Sequence, residues 1–348
     1  MIKTNKSPVL TSKNYGVNYF EIDNTALQFK PTNIINAIVK NCQNQTEIKK
    51  NKLPQSNIGF ELNEQIKNNS NYCKMFKICK DTNEPIEICF SNNQTLIGAL
   101  DFRVNEGIHA SVVLKIKADI NAYNNLVIST NLSDNANLDL TIVCDLESGS
   151  NNFVSIKTNC DTNSHLNLNI IDFGSANSIQ NINVNLTGEL SRTSINSIYF
   201  GGLDNKLSLN YLVREFGCKC NCNIDVCGIL SNNAYKNFLG TIDFKKGSSQ
   251  SEGNESEHCI LLSNDVKANS TPILLSAEEN VNGSHSSSVG KIDDDELFYI
   301  MSRGISKPDA IKLLIKAKLI NLVNNFSYNN LKQEILKRID EKIDEQNW

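Results

Sequence analysis

The sequence predicts an all-β core followed by a helical C-terminal domain. Three observations carry this. From about Met75 the texture changes, and short runs of alternating apolar and polar residues follow one another, separated by Asn, Asp, Gly and Ser. Their starts recur roughly every 12 to 16 residues, and no long helical pattern interrupts them between about 100 and 280. Near the C-terminus two capped helical patterns then appear in quick succession.

Residues 1–75 are polar and poorly periodic and read as an irregular or partly helical segment. Within them Thr32–Val39 fits a short helix with Ile34, Ile35 and Ile38 on one side, and Ile48–Ser70 gives mixed signals. The strand texture opens with Ile86, Ile88 and Phe90. It continues through Ala110–Ile116, Leu126–Ser129, Leu138–Val143, Phe153–Ile156, Leu166–Ile170, Ile182–Leu186, Ile195–Tyr199, Leu207–Leu212 and Cys220–Val226. An even beat is what a β-solenoid produces. Each turn adds the same strands to growing stacks, and no turn can bury its inward face alone. A sandwich or a barrel would give a similar strand count.

Asp293 is a good N-cap, with Glu296 three residues on as the capping-box acid. Leu297, Phe298, Ile300 and Met301 form the apolar body of that helix, and Gly304 can adopt the left-handed conformation that ends it. Ser306 caps a second helix, with Pro308 in its first turn and Asp309 as its acid. Ile311, Leu314, Ile315 and Leu319 form an apolar stripe on that helix, with Lys312, Lys316 and Lys318 around it. Tyr328, Leu331, Ile335, Ile339 and Ile343 form another stripe further on. The expected division is an N-terminal segment at 1–75, the solenoid at 76–284 and a helical domain at 285–348.

The 348 residues suffice for one elongated domain or two ordinary ones, and a net charge of −4 gives no support for a nucleic-acid or anionic-membrane partner. Met1–Leu10 lacks the apolar core of a signal peptide, and no run of about 18 apolar residues exists, so a cytoplasmic chain is expected. Eleven cysteines, an odd number in a long chain, then read as reduced thiols. The richness in Asn, Ile and Lys receives no functional weight. There is no Gly-x-x-x-x-Gly-Lys-Ser/Thr loop, so the chain is not expected to hydrolyse ATP by that route, and no His-Glu-x-x-His or Gly-x-Ser-x-Gly appears. Asn44-Gln45-Thr46 and Asn93-Gln94-Thr95 match a glycosylation pattern that has no meaning in the cytoplasm.

The string His285-x-x-x-Val289-Gly290-Lys291-Ile292-Asp293-x-x-x-Leu297-Phe298-Tyr299-x-x-Ser302-Arg303-Gly304-Ile305-Ser306 closely resembles the C-terminal signature of the SufB/SufD family, the scaffold subunits of the Suf iron–sulfur cluster assembly system. Glu84-Pro85-Ile86, Val104-Asn105-Glu106-Gly107, Gly228-Ile229-Leu230, Phe238-Leu239-Gly240-Thr241-Ile242 and Leu261-Leu262-Ser263 extend the resemblance over about residues 84 to 320, strongly from 228 onward. It implies a right-handed parallel β-helix with a C-terminal α-helical domain, and a non-enzymatic scaffold. The implied partners are an ABC-type ATPase, bound through Leu297, Phe298, Arg303, Ile311, Leu314, Ile315 and Leu319, and a SufB-like paralogue or a second copy, bound through the β-helix. No cofactor is held tightly, and an iron–sulfur cluster, where held, is transient.

The resemblance places His285 near the interface where a nascent cluster forms. Imidazole can bind iron or carry a proton near neutral pH, and hydrogen bonding at the end of the β-helix is the plainer role. The sequence departs from the family beside it. Gly283 stands where SufD-like members often have Cys, Ser286 where SufB-like members have Glu, and Glu257 where SufB-like members have a functional Cys. Cys259, two residues on, faces the same way on a strand and could substitute. These departures point to a SufD-like or divergent subunit. Cys218, Cys220, Cys222 and Cys227 suggest soft-metal binding. Alternate residues on a strand are about 6.6 Å apart, however, while thiolates on one tetrahedral metal are about 3.8 Å apart, which favours buried thiols. His109 and His165 sit in strand-like runs and read as structural. Two rivals remain: a purely structural complex subunit without cluster ligation, and a carbohydrate-active β-helix protein.

Overall fold

The computed structural model describes all residues except 10–17, 31, 33, 34, 36, 43, 92–94, 327 and 346–348. Ile34 and the Asn93-Gln94 pair, which figured in the sequence reading, lie outside the described residues. Two sheets of nine strands each form a parallel β-solenoid. Eight strands in each sheet are parallel, giving eight turns, and one antiparallel strand closes each sheet at its N-terminal end. Those closing strands are Ala37–Lys40, paired with Ile86–Phe90, and Gln45–Glu47, paired with Tyr72–Ile78. The helix expected at Thr32–Val39 is therefore a strand over Ala37–Lys40, whose backbone groups are better satisfied on the open sheet edge.

Asn137 pairs with His109 on one side and with His165 on the other, each 28 residues away. The sequence beat of 12 to 16 residues is thus half a turn, one strand per sheet. Side chains stack along the axis in rows. Val112, Leu140, Leu168, Ile195 and Ile224 form one inward row, and Leu114, Ile142 and Ile170 begin the next. Together they build the buried lumen core. Corners demand left-handed backbone, and Asn121, Asn135, Asn163 and Asn232 supply it with φ between 53° and 60°. Asn131, Asn159 and Asn185 also bond turn to turn at 3.1 and 2.9 Å. The Asn-rich composition therefore has a structural use in corners and ladders.

Both outer faces are partly covered by the chain itself. On one face lie Phe20, Ile22, Ala26, Ile58 and helix α1 (Phe60–Asn69), packed on Ile97, Tyr123, Val127, Phe153 and Ile179. Asn5 pins this cover. Its side chain donates to the Gln180 carbonyl at 3.0 Å and accepts from Asn181 Nδ2 at 3.0 Å. On the other face lie α3 (Lys307–Asn324) and α4 (Asn329–Asp344), reached through the short helix α2 (Asp294–Ser302). Asp293 caps α2 by accepting from the backbone N–H of Asp295 at 2.8 Å and Glu296 at 3.1 Å, Gly304 takes φ +86°, and Ser306 caps α3.

The helices do not sit on the end of the solenoid. They lie along its flank. Ile311, Ile315 and Leu319 are buried with Leu331, Ile335, Ile339 and Ile343 against Ile171, Phe173, Ile198, Phe200 and Ile229. The outward rows of that sheet are themselves apolar, and this is the surface that needs covering. Lys312 and Lys316 are also engaged, each 2.7 Å from Asp344 and Asp340 on α4. Among the described residues, no helix is long and apolar enough to cross a membrane.

Arg338 fastens α4. It forks onto Asp145 with Nε–Oδ1 3.1 Å and Nη2–Oδ1 3.0 Å, and its guanidinium lies 5.5 Å from the Phe173 ring centroid. Arg338→Ala should cost about 1–2 kcal/mol, a charged bond discounted for partial exposure. Urea unfolding checks the loss, and amide exchange should show it concentrated in α4. Unchanged protection there would remove Arg338 from this role.

Candidate functional site: the C-terminal end of the lumen

The inward rows change character in the last two turns. Ile224 is followed by Glu255 and then His285, Val226 by Glu257 and then Ser287, and Gly228 by Cys259 and then Val289. Glu255, Glu257 and Cys259 alternate on the strand Ser251–Leu261 and all point into the lumen, where they are buried. His285 lies on the last strand of its sheet, Val281–Lys291, is exposed, and stands in register with Glu255.

A buried ion pair closes this end. Lys236 and Glu257 both have fully buried side chains, and Nζ lies 2.5 Å from Oε1. Tyr199 donates to the same oxygen at 2.9 Å. Ser270 and Ser287 (3.3 Å) donate to Oε2. Lys236 spends its other protons on Ser270 Oγ at 2.8 Å and the Asn269 carbonyl at 3.1 Å. Five strands from both sheets are tied across the lumen. A buried pair is costly to desolvate and costlier to break, so full satisfaction of both partners is what makes it tolerable.

Two further carboxyls have no cation beside them among the described residues, and Glu215 has only the Cys222 thiol and the Ser251 hydroxyl close by, outside hydrogen-bond geometry. Among the described residues neither oxygen of Glu215 or Glu255 has a hydrogen-bond partner. Burial pushes the Glu215 carboxyl up to about 7. Burial, and then the nearby Glu257 charge, push Glu255 up to about 8.

His285 and Cys259 are not brought together. Cys259 is in register with Val289, four residues from His285 along the strand, roughly 13 Å at 3.3 Å per residue. Among the described residues no three His, Cys, Asp or Glu side chains converge on a metal-sized point. The thiols are poor ligands as they stand. Burial raises Cys259, though Lys236 and Tyr199 pull it down, and burial with the adjacent Glu215 carboxyl raises Cys222 well above the ordinary range. Burial takes Cys227 to about 12. Cys220 and Cys222 belong to the lumen core and Cys227 to the flank core, so the four cysteines do not gather around one point.

Of the residues expected to meet a partner, Ile311, Ile315 and Leu319 are buried, while Leu297 and Leu314 are half-buried. Phe298 is 74% exposed and Tyr299 60% exposed. Arg303 stacks on Tyr299 at 5.0 Å and donates to its hydroxyl at 2.9 Å. Sequence reasoning missed Lys236, Tyr199 and Ser270. The phase could have shown Lys236, which shares its parity with Phe238, Ile242 and Phe244 on an inward face.

Fold and site together define a β-solenoid protein with a polar lumen end and a flanking helical cover. A family model described as the SUF system FeS cluster assembly, SufBD core domain, matches residues 89–318. The chain belongs to this family. It is similar to the iron–sulfur cluster assembly protein SufD of Bacillus subtilis, 31% identical over 116 residues that make up 33% of this chain and 26% of that protein. It is similar to SufD of Escherichia coli at 27% identity over 170 residues, 49% of this chain and 40% of the relative. An iron–sulfur cluster assembly SufBD family protein of Mycobacterium leprae is 24% identical over 186 residues, 47% of each chain. The matches span less than half the length of each of these relatives.

Glu215 gives a pH signature. Its folded pKa of about 7 lies above the ordinary 4.5. Its contribution is therefore complete below pH 4.5 and is lost as pH rises through 7. Glu215→Gln should match the parent in stability near pH 4.5 and exceed it at pH 8, by urea unfolding at each pH. A constant difference across that range would contradict the assignment. Gly228→Ala should be destabilising at every pH, because a Cβ there would stand 1.9 Å from the Tyr199 ring.

Proposed function

We propose that the chain is a non-enzymatic, SufD-like scaffold subunit of a Suf-type iron–sulfur cluster assembly complex. One observation carries this reading beyond family membership. The flanks of the solenoid carry covers from the chain itself, but among the described residues the strands Lys267–Ser276 and Val281–Lys291 are the last of their sheets. An open edge of this kind is completed by strands of another chain. The partner is a SufB-like paralogue or a second copy. His285 stands on that edge, where an imidazole could meet ligands from both sides of the joint. Any cluster is transient and takes from this chain at most His285, since Cys259 lies too far along the strand. The eleven free thiols fit a reducing, cytoplasmic setting.

The second partner is an ABC-type ATPase. The apolar surface left for it is on α2 and the outer side of α3: Phe298, Tyr299, Met301, Leu313 and Ile320 are all exposed. Removing everything after Gly304 would strip the flank core and is a poor test. Phe298→Asp with Tyr299→Asp leaves that core intact. The double variant should lose ATPase binding by calorimetry, at least tenfold, while keeping its thermal midpoint, and unchanged affinity would move the ATPase site elsewhere.

A purely structural subunit is the second reading, favoured by the separation of His285 from Cys259. Anaerobic iron and sulfide reconstitution of the complex decides between them. His285→Ala should lower cluster yield several-fold without loss of subunit pairing. Equal yield would leave the structural reading.

A further inference from the structure

The hydrogen bonds around Glu257 run in one direction. Lys236 Nζ at 2.5 Å and Tyr199 OH at 2.9 Å donate to one oxygen, and Ser270 Oγ and Ser287 Oγ at 3.3 Å donate to the other. Four donors from four strands converge on a single carboxylate. Three of those strands, those carrying Tyr199, Lys236 and Ser270, are not register neighbours of Glu257. They approach it across the lumen or from a turn further in. One donor carries a full positive charge and is itself fully buried. Tyr199 and Phe238 hold the ammonium in place, each ring centroid 5.9 Å from Nζ. Burial raises the Tyr199 hydroxyl well above its ordinary range, so it remains a donor.

We infer that Lys236, Tyr199, Ser270 and Ser287 form a cradle for one small carboxylate-sized anion, which the chain fills with its own Glu257. The donors match the two oxygens of such a group in number and in charge, and the cradle borders the surface through Ser287, which is exposed. Glu257 is then an in-cis ligand that shuts the lumen end, and His285 on the rim is left as the group that faces outward. Two of the donors have further contacts that keep them in place, while the buried ammonium, left without its counter-charge, is what an added anion would satisfy. Lys236 also bonds the Asn269 carbonyl, and the Tyr199 ring packs on Gly228, where a side chain would displace it.

Thermal melts of the full chain test this. Glu257→Ala empties the cradle. In formate or acetate its midpoint should rise by about 3 °C or more over chloride at equal ionic strength, as expected for a ligand that binds only the folded state. The parent, and Lys236→Met combined with Glu257→Ala, should respond to formate no differently from chloride. Benzoate, too large for the site, should fail to raise the midpoint of Glu257→Ala. If Glu257→Ala does not fold in chloride, its refolding yield in formate becomes the readout. A formate response equal to that of the parent, a response that survives in the double variant, or failure to refold in either salt overturns the cradle.

Discussion

A turn of a parallel solenoid buries its inward side chains only when another turn lies on each side of it. That constraint governs most of this molecule. Through the first turns it is met by aliphatic rows such as Leu140, Leu168 and Ile195, each covered by its neighbours. At the N-terminal end two antiparallel strands satisfy it. At the C-terminal end no turn follows among the described residues, and two of the inward rows there end on polar side chains. These are Glu255 and His285 in one row and Glu257 and Ser287 in the other. A fully apolar exposed row at that end would favour indiscriminate edge pairing, and these polar groups reduce it.

Polar groups inside a solenoid have to be satisfied from within. Glu257 is, by four donors and a buried ammonium. Glu215 and Glu255 are not, and they keep protons into the neutral range as a result. The flanks follow the same logic with apolar groups. Outward rows containing Ile171, Phe173, Ile198 and Phe200 need a cover, and α3 with α4 provide it, fastened by Arg338 on Asp145. The consequence for function is that the helices expend their apolar stripes on their own solenoid. Of the helices' apolar side chains, those of α2 and the far side of α3, such as Phe298 and Leu313, stay exposed.

Local features were legible in the sequence, and features set by register were not. The caps at Asp293 and Ser306 depend on residues within three positions, and both form as read. The beat of the strands was plain, although its meaning as half a turn required the pairing of residues 28 apart. The placement of Ile311, Ile315 and Leu319 depended on which rows of a distant sheet are apolar outside as well as inside, which alternation alone does not show. Cys259 reads in the sequence as able to substitute for a cysteine at the Glu257 position, since both face the same way on a strand. The register sets Glu255, not Cys259, beside His285. Lys236 was hidden in a run whose inward parity becomes clear only once Phe238 and Ile242 are assigned to the lumen.

The central claim is that the chain works through the open end of its solenoid. Amide hydrogen exchange, read on the full chain alone and then with a saturating SufB-type subunit, tests it most directly. The predicted result is new protection confined to Lys267–Ser276 and Val281–Lys291, with the strands of the earlier turns unchanged. Complex formation that leaves those two strands as exchangeable as before, with protection on a flank or a corner instead, would contradict it.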